Sequence, residues 1–137
     1  MRTIKFRAQD VASNKWLYGD LRRHENDFCI FEHGGTNGEQ VKRETIGQFT
    51  GLTDIDGREI YEGDVLHFDG LNYRMVFIYN TGEFAALKIE HSMLNPPVNY
   101  RVVSFWCKKG LKIIGNIYDN PELIAEDMNK TMPKVIK

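Results

Sequence analysis

Residues 62–89 read EGDVLHFDGLNYRMVFIYNTGEFAALKI, and this stretch decides the fold class. Two short turn sequences, Asp69-Gly70 and Asn80-Thr81-Gly82, separate three segments rich in aromatic and β-branched residues. Turn residues between such segments are typical of antiparallel hairpins. In the middle segment, Tyr73 and Met75 share one face, while Val76 and Ile78 make the opposite face apolar as well. We therefore predict antiparallel hairpins around a strand that is covered on both sides.

The sequence before this stretch continues the pattern. Residues 4–8 alternate between apolar and polar side chains, residues 16–21 can return as a partner strand, and residues 27–32 form a third candidate. Residues 33–40 contain three glycines and are predicted to be a mobile loop. The first subdomain is thus predicted to be an N-terminal β-hairpin unit, residues 1–50.

The quoted stretch and the sequence around it are predicted to form a second subdomain, residues 51–137. Residues 101–107 and 111–118 are expected to form a hairpin across Lys108-Lys109-Gly110, which would complete a small curled barrel. A short C-terminal helix is predicted from Pro121, with Asn120 as its N-cap. Its docking face would consist of apolar side chains: Leu123, Ile124 and Met128. The fold class is therefore mainly β.

An acidic cluster leads into the start of the quoted stretch. It consists of Asp54, Asp56, Glu59, Glu62 and Asp64. Asp56-Gly57 is predicted to form a type I′ turn, with the acids of the cluster in solvent. At Gly63 we predict a sharp bend, stabilised by a backbone hydrogen bond to Asp64, with Ile60 and Val65 packed inward. Carboxylates can coordinate Ca²⁺ or Mg²⁺, but the spacing does not match an EF-hand loop, and no metal site is predicted.

Catalytic motifs are absent from the sequence. The four histidines are widely separated, no serine lies in a nucleophile elbow, and no phosphate-binding loop is present. Cys29 and Cys107 lie in apolar segments and are interpreted as unpaired core residues. We therefore predict no enzyme, no catalytic residue and no cofactor. A metal-dependent hydrolase, in which distant residues converge, remains an alternative.

Charge is balanced overall but unevenly distributed. The chain carries 18 basic and 19 acidic residues, a net charge of −1, which argues against global attraction to nucleic acid or membranes. Up to Arg23 the net charge is +4, whereas residues 44–64 carry −5. Trp16, Tyr18, Arg22 and Arg23 could stack on single-stranded nucleic acid, although an ordinary half-buried strand explains them more simply. The start of the chain resembles no export signal and no apolar run could span a bilayer, so a cytoplasmic protein is expected.

Three segments resemble the YopX family of phage and prophage proteins. They are IKFRAQD at residues 4–10, QFTGLTDIDGREIYEGDV at residues 48–65, and IGNIYDNPEL at residues 114–123. Gln9 departs from the tryptophan expected at that position in many relatives. The resemblance implies a β protein in two parts, the later part similar to an SH3-like barrel. It implies no established reaction and no catalytic residues.

The sequence thus predicts a non-catalytic phage or prophage accessory protein that acts through binding, as a homo-oligomer. Opposite charges on residues 1–23 and 44–64 could guide one subunit to another, or one half of the chain to the other, and a host or phage protein is a further candidate partner. A nucleic-acid-binding regulator is the alternative from another class. The predicted binding or assembly surface comprises Trp16, Tyr18, Arg22, Arg23, Asp56, Glu59, Tyr61, Glu62 and Asp64.

Overall fold

The computed structural model describes residues 3–32, 35–89, 100–101, 104 and 106–124. The strands of this part of the chain are β1 (Phe6–Gln9), β2 (Trp16–His24), β3 (Asp27–Phe31), β4 (Gly38–Val41), β5 (Gly47–Thr53), β6 (Glu59–Tyr61), β7 (Asp64–Phe68), β8 (Leu71–Ile78), β9 (Glu83–Lys88), β10 (Tyr100–Arg101) and β11 (Lys112–Asn116). A 3-10 turn spans Arg43–Thr45. The predicted mainly β, antiparallel fold class is confirmed. No helix of the described residues is long and apolar enough to cross a membrane.

The chain divides into two compact units, residues 1–51 and 52–137. In the first unit, the strands lie in the order β4-β3-β2-β1-β5, and every pairing is antiparallel. Ala8, Ile30 and Val41 are buried at its centre. Half-buried apolar side chains surround them: Phe6, Leu17, Leu21, Phe28 and Ile46. These residues alternate along their strands, so the period-two pattern of the sequence builds this core.

The sheet of the first unit rolls up on itself. The end of β1 returns to β4 through a bridge between Asp10 and Val41. The N–H of Val11 donates to the carbonyl of Gln40 at 3.0 Å, and the N–H of Lys42 donates to the carbonyl of Gln9 at 2.8 Å. The prediction of a loop throughout residues 33–40 is therefore wrong for β4, because its backbone is needed to close this sheet.

In the second unit, five strands form a sheet in the order β10-β9-β8-β7-β11. The predicted hairpins at Asp69-Gly70 and at residues 80–82 are confirmed, since β7 pairs with β8 and β8 with β9. Asp69 and Gly70 have φ angles of 51° and 80°, as a type I′ turn requires. The core consists of Ile60, Leu66, Tyr73, Met75, Ala86 and Leu111.

The predicted hairpin between residues 101–107 and 111–118 is wrong. Strand β11 pairs with β7, and the register shifts between Ile113 and Gly115. Strand β10 lies at the opposite edge of the sheet, beside β9. Residues 106–110 form turns that bring Trp106 against Phe68 and Tyr73, with ring centroids 4.5 and 5.1 Å apart. The two segments thus lie at opposite edges of the sheet, and the described strands do not close into the expected barrel.

Residues 122–124 are helical, as predicted. The N–H groups of Leu123 and Ile124 donate to the carbonyls of Asn120 and Pro121, both at 3.1 Å. The Asn120 side chain, however, accepts the N–H of Asn116 at 3.2 Å instead of capping the helix. Met128, the third member of the predicted docking face, lies outside the described residues.

Candidate functional site

Asp54 accepts several hydrogen bonds and belongs to the acidic cluster. Its Oδ1 accepts the N–H groups of Asp56 and Arg58 at 3.0 and 2.9 Å, and its Oδ2 accepts the N–H of Ile113 at 3.0 Å. The Arg58 Nη2 lies 3.3 Å from Oδ2. Burial raises the pKa of Asp54, but these hydrogen bonds and the Arg58 charge outweigh it, so the pKa is lowered. Asp54 thus ties the loop before β6 to strand β11.

The loop that Asp54 organises differs from the predicted type I′ turn. Gly57 has a positive φ of 81°, whereas Asp56 is not among the residues with positive φ. The N–H of Gly57 donates to the carbonyl of Asp54 at 2.9 Å, and the N–H of Asp54 donates to the carbonyl of Arg58 at 2.8 Å. This is a three-residue loop that ends on a left-handed glycine. The side chain of Asp54 satisfies the inner N–H groups, so the longer loop is favoured.

Asp64 and Gly63 form the predicted bend between β6 and β7. The φ of Gly63 is 95°, and Asp64 Oδ2 accepts the N–H of Tyr61 at 2.7 Å. Ile60 and Val65 are fully buried on either side, as predicted. Asp54 and Asp64 are 4% and 2% exposed, so the prediction that the acids of this cluster lie in solvent is wrong for these two. Their hydrogen bonds compensate the cost of burying each carboxylate.

Substituting Ala for Gly63 is expected to lower the free energy of unfolding by about 1–3 kcal/mol, because a Cβ strains a backbone with positive φ. The N–H and C=O of Gly63 bond to Met75 and Ile117, at 2.9 and 3.0 Å, and prevent the bend from relaxing. Denaturation in urea measures the change. Gly70→Ala is the control, since Gly70 has a similar φ of 80° and lies in the turn between β7 and β8, with no atom within 4 Å of its would-be Cβ. Equal effects of the two substitutions would contradict the role assigned to the bonds at Gly63.

The remaining acidic residues of the predicted surface do not share one environment. Asp56 is exposed, and its Oδ2 lies 3.9 Å from the Lys112 Nζ. Glu59 and Glu62 are half-buried, and Glu59 Oε1 accepts the hydroxyl of Tyr61 at 3.0 Å. Tyr61 itself is buried. Among the described residues, no group of three His, Cys, Asp or Glu side chains is placed to hold a metal ion.

The C-terminal segment of the resemblance forms a second hydrogen-bonded turn. Asn116 Oδ1 accepts the N–H groups of Tyr118 and Asp119, both at 2.9 Å, and its Nδ2 donates to Asp119 Oδ2 at 3.1 Å. A Cβ at Gly115 would overlap the Asn120 side chain, so only glycine allows this approach. The polar residues of this segment are therefore needed for folding.

These positions lie within the range of a family match. Residues 5–125 match the family described as YopX protein. The chain belongs to the YopX family. Its fold is similar to the crystal structure of protein EF1440 from Enterococcus faecalis, with 24% identity and a TM-score of 0.54. That likeness covers 90% of this chain and 99% of the other. No protein with curated annotation matches the chain.

The predicted basic and aromatic residues of the YopX-family chain lie on β2, in the first unit. Trp16 has the Arg7 guanidinium 4.7 Å from its ring centroid, and Tyr18 is 45% exposed. Arg22 lies 4.1 Å from the ring centroid of Phe31. Because Arg23 follows Arg22 directly, it points to the other face of the strand. The predicted stacking surface is therefore divided between two faces.

On the face of β2 that carries Arg23, two guanidinium groups lie over the ring of Phe28. Arg23 lies 5.9 Å from its ring centroid, and Arg43 lies 5.4 Å from it. Arg43 was not predicted as a site residue. It belongs to the 3-10 turn, and no local pattern links it to β2. The alternation of the strand could only have indicated that Arg23 and Phe28 share a face.

The first unit also contains a cleft that sequence reasoning missed, with a volume of about 700 Å³. Leu17 and Ile30 of the core face line it, together with Asp10, Lys15, Glu32 and Glu39. A hydrogen bond from Ser13 lowers the pKa of Asp10. The lining comes from two separate stretches of sequence, within residues 10–17 and 30–39, so no single motif could indicate the cleft. Its walls carry more acidic than basic groups.

Proposed function

We propose that this YopX-family chain is a non-catalytic accessory protein of phages or prophages that acts in the cytoplasm by binding other macromolecules. The observation that carries the proposal is the engagement of its motif residues. Asp54, Asp64, Asn116 and Asn120 all use their side-chain oxygens to bond backbone N–H groups of the same unit. These side-chain oxygens, which are the kind that coordinate ligands, are occupied in stabilising turns.

The state of Cys107 supports the same proposal. Burial, and secondarily the nearby charge of Asp54, raises the pKa of its thiol. A thiol with a raised pKa contains less thiolate at neutral pH and is a weaker nucleophile. Cys107 packs against the apolar core of the second unit. A role in packing accounts for it.

We further propose that the chain forms homo-oligomers guided by charge. Asp54 and Asp64 are buried, which leaves Asp56 as an exposed acid of the predicted acidic stretch. Arg22 and Arg23 are exposed on β2. Contact between such groups on different copies is weak and decreases as salt screens it. A host or phage protein remains a second kind of partner.

Light scattering at several protein and salt concentrations tests the homo-oligomer. The expected result is a mass above that of one 15.9 kDa chain at high protein concentration and a lower mass as salt increases. An oligomer whose mass does not change with salt would support self-association but contradict the charge mechanism, because apolar interfaces resist salt. A chain that stays monomeric at high micromolar concentrations would contradict the homo-oligomer.

A further inference from the structure

The outer half of β2 has an open edge. Strand β1 pairs with β2 only from Trp16 to Gly19. Residues 20–24 continue beyond it and pair with β3 alone. Within the described ranges, no strand pairs with the other side of residues 20–24. Backbone N–H and C=O groups at such an edge are a template for another strand.

Two exposed guanidinium groups flank this edge, one on each face. Arg22 packs over Phe31, and Arg23 packs over Phe28 and donates from Nε to the carbonyl of Glu25 at 3.0 Å. Neither makes an ion pair with a described residue. The aromatic rings hold both side chains in place, which reduces the entropy lost on binding an anion. An added strand would thus meet a fixed positive charge on either face.

A second copy of this chain is a poor occupant of the edge. Two-fold antiparallel pairing over residues 20–24 would place Arg22 opposite Arg22, and like charges directly opposite are destabilising. An alternative register places Asp20 opposite Arg22. In that register the second copy would also have to pair with Gly19 and Tyr18. Those positions already pair with Phe6 and Arg7 of β1.

Nucleic acid also fits this edge less well than a peptide. Asp20, Glu25 and Asp27 are exposed beside the two arginines, so a chain of phosphates would meet three negative charges. A peptide can place its acidic side chains only where the arginines lie, and its backbone can use the open N–H and C=O groups, which phosphates and bases leave unsatisfied.

We propose that the edge of β2 at residues 20–24 binds an extended, acidic segment of a partner protein by strand addition. This inference deepens the binding function proposed above and rests on it. Backbone pairing supplies affinity, and acidic side chains of the partner, facing Arg22 and Arg23, supply specificity.

Fluorescence anisotropy with a short labelled Glu-Val peptide tests the proposal. Two adjacent glutamates in this peptide point to opposite faces of the strand, one toward Arg22 and one toward Arg23. The wild-type chain is expected to bind this peptide and not its Lys-Val counterpart. R22E/R23E should weaken binding by about tenfold or more, because two charge pairs are reversed. R22Q/R23Q, a milder change, should weaken it less, and circular dichroism checks folding. K108E/K109E is the matched control, since both lysines are exposed in the second unit.

Methylation of alternate backbone nitrogens in the Glu-Val peptide separates strand addition from simple charge attraction. Loss of binding on methylation is expected, because the peptide can no longer donate to the edge. Equal binding of the methylated peptide, or equal weakening by K108E/K109E, would overturn the proposal. So would tighter binding of single-stranded DNA at the same arginines. Peptide binding by a strictly monomeric chain would refute the homo-oligomer alone, whereas no peptide binding by a self-associating chain would refute this inference alone.

Discussion

Replacing Asp54 with Ala is expected to lower the free energy of unfolding of the second unit by about 3–5 kcal/mol. The substitution removes the acceptor of three backbone N–H groups, those of Asp56, Arg58 and Ile113. It also leaves Arg58 without its carboxylate partner at 3.3 Å. Packing cannot replace the hydrogen bonds that these N–H groups lose, so the midpoint of thermal unfolding should fall by about 10 °C or more.

Trp106 can report this unfolding. It packs against Phe68 and Tyr73 of the second unit, and Trp16→Phe removes the other tryptophan of the chain. Asp56→Ala in the same background is the matched control. Asp56 is exposed and 3.9 Å from its cation, so its loss should change stability by less than about 0.5 kcal/mol. Equal effects of the two substitutions would refute the bridging role of Asp54.

The same carboxylate gives a pH dependence. Its pKa is lowered in the folded chain from an ordinary value of 3.8. The stabilisation is therefore complete above about pH 5 and decreases as the pH falls through the folded pKa, where the carboxylate is protonated. Asp54→Asn should flatten this acid limb in addition to lowering stability at neutral pH. An unchanged acid limb would contradict the lowered pKa.

Local sequence determined two turns of the second unit well, although not the loop at Asp56-Gly57. Asp69-Gly70 and Gly63 require positive φ, and glycine, with Asp beside it, is the residue type that provides it at low cost. Ile60 and Val65 were predicted inward because they flank a bend in an alternating pattern. These features depend on neighbours in the chain and can therefore be predicted from composition and spacing.

Features that depend on distant partners were missed. The burial of Asp54 requires the N–H of Ile113, which is 59 positions away. The pairing of β11 with β7 and the closure of the first unit by Asp10 and Val41 depend on similarly distant contacts. An Asp two residues before Asp-Gly is compatible with both an exposed turn and a buried anchor, because local chemistry is the same in each. Only the tertiary packing distinguishes them.

The candidate binding surface was predicted only in part. Arg22 and Arg23 were identified by charge. They lie on two faces because neighbouring residues of a strand point in opposite directions. The open edge beside them depends on where β1 begins, at Phe6, which pairs with Gly19 of β2. That limit is invisible in the hydrophobic pattern, since glycine carries no side chain.

Replacing Gly19 with Ala is therefore expected to destabilise the first unit by about 3 kcal/mol or more. Gly19 has a φ of 155°, and a Cβ there would overlap the backbone carbonyl oxygen of Phe31. A carbonyl in a paired strand cannot move aside as a flexible side chain can. The steric conflict would separate β2 from β3, which pair from Asp20 to His24, and expose the core around Ile30.

Fluorescence of Trp16 in a Trp106→Phe background can follow unfolding of the first unit, because Trp16 lies on β2. Gly51→Ala is the matched control, since Gly51 also has a positive φ, 87°, but no atom within 4 Å of its would-be Cβ. It should cost only the backbone strain, about 1 kcal/mol. The difference between the two variants measures the contact with Phe31. If Gly19→Ala were no more destabilising than Gly51→Ala, β2 and β3 could separate without cost at this point, and Gly19 would not be required where the pairing of β1 with β2 begins.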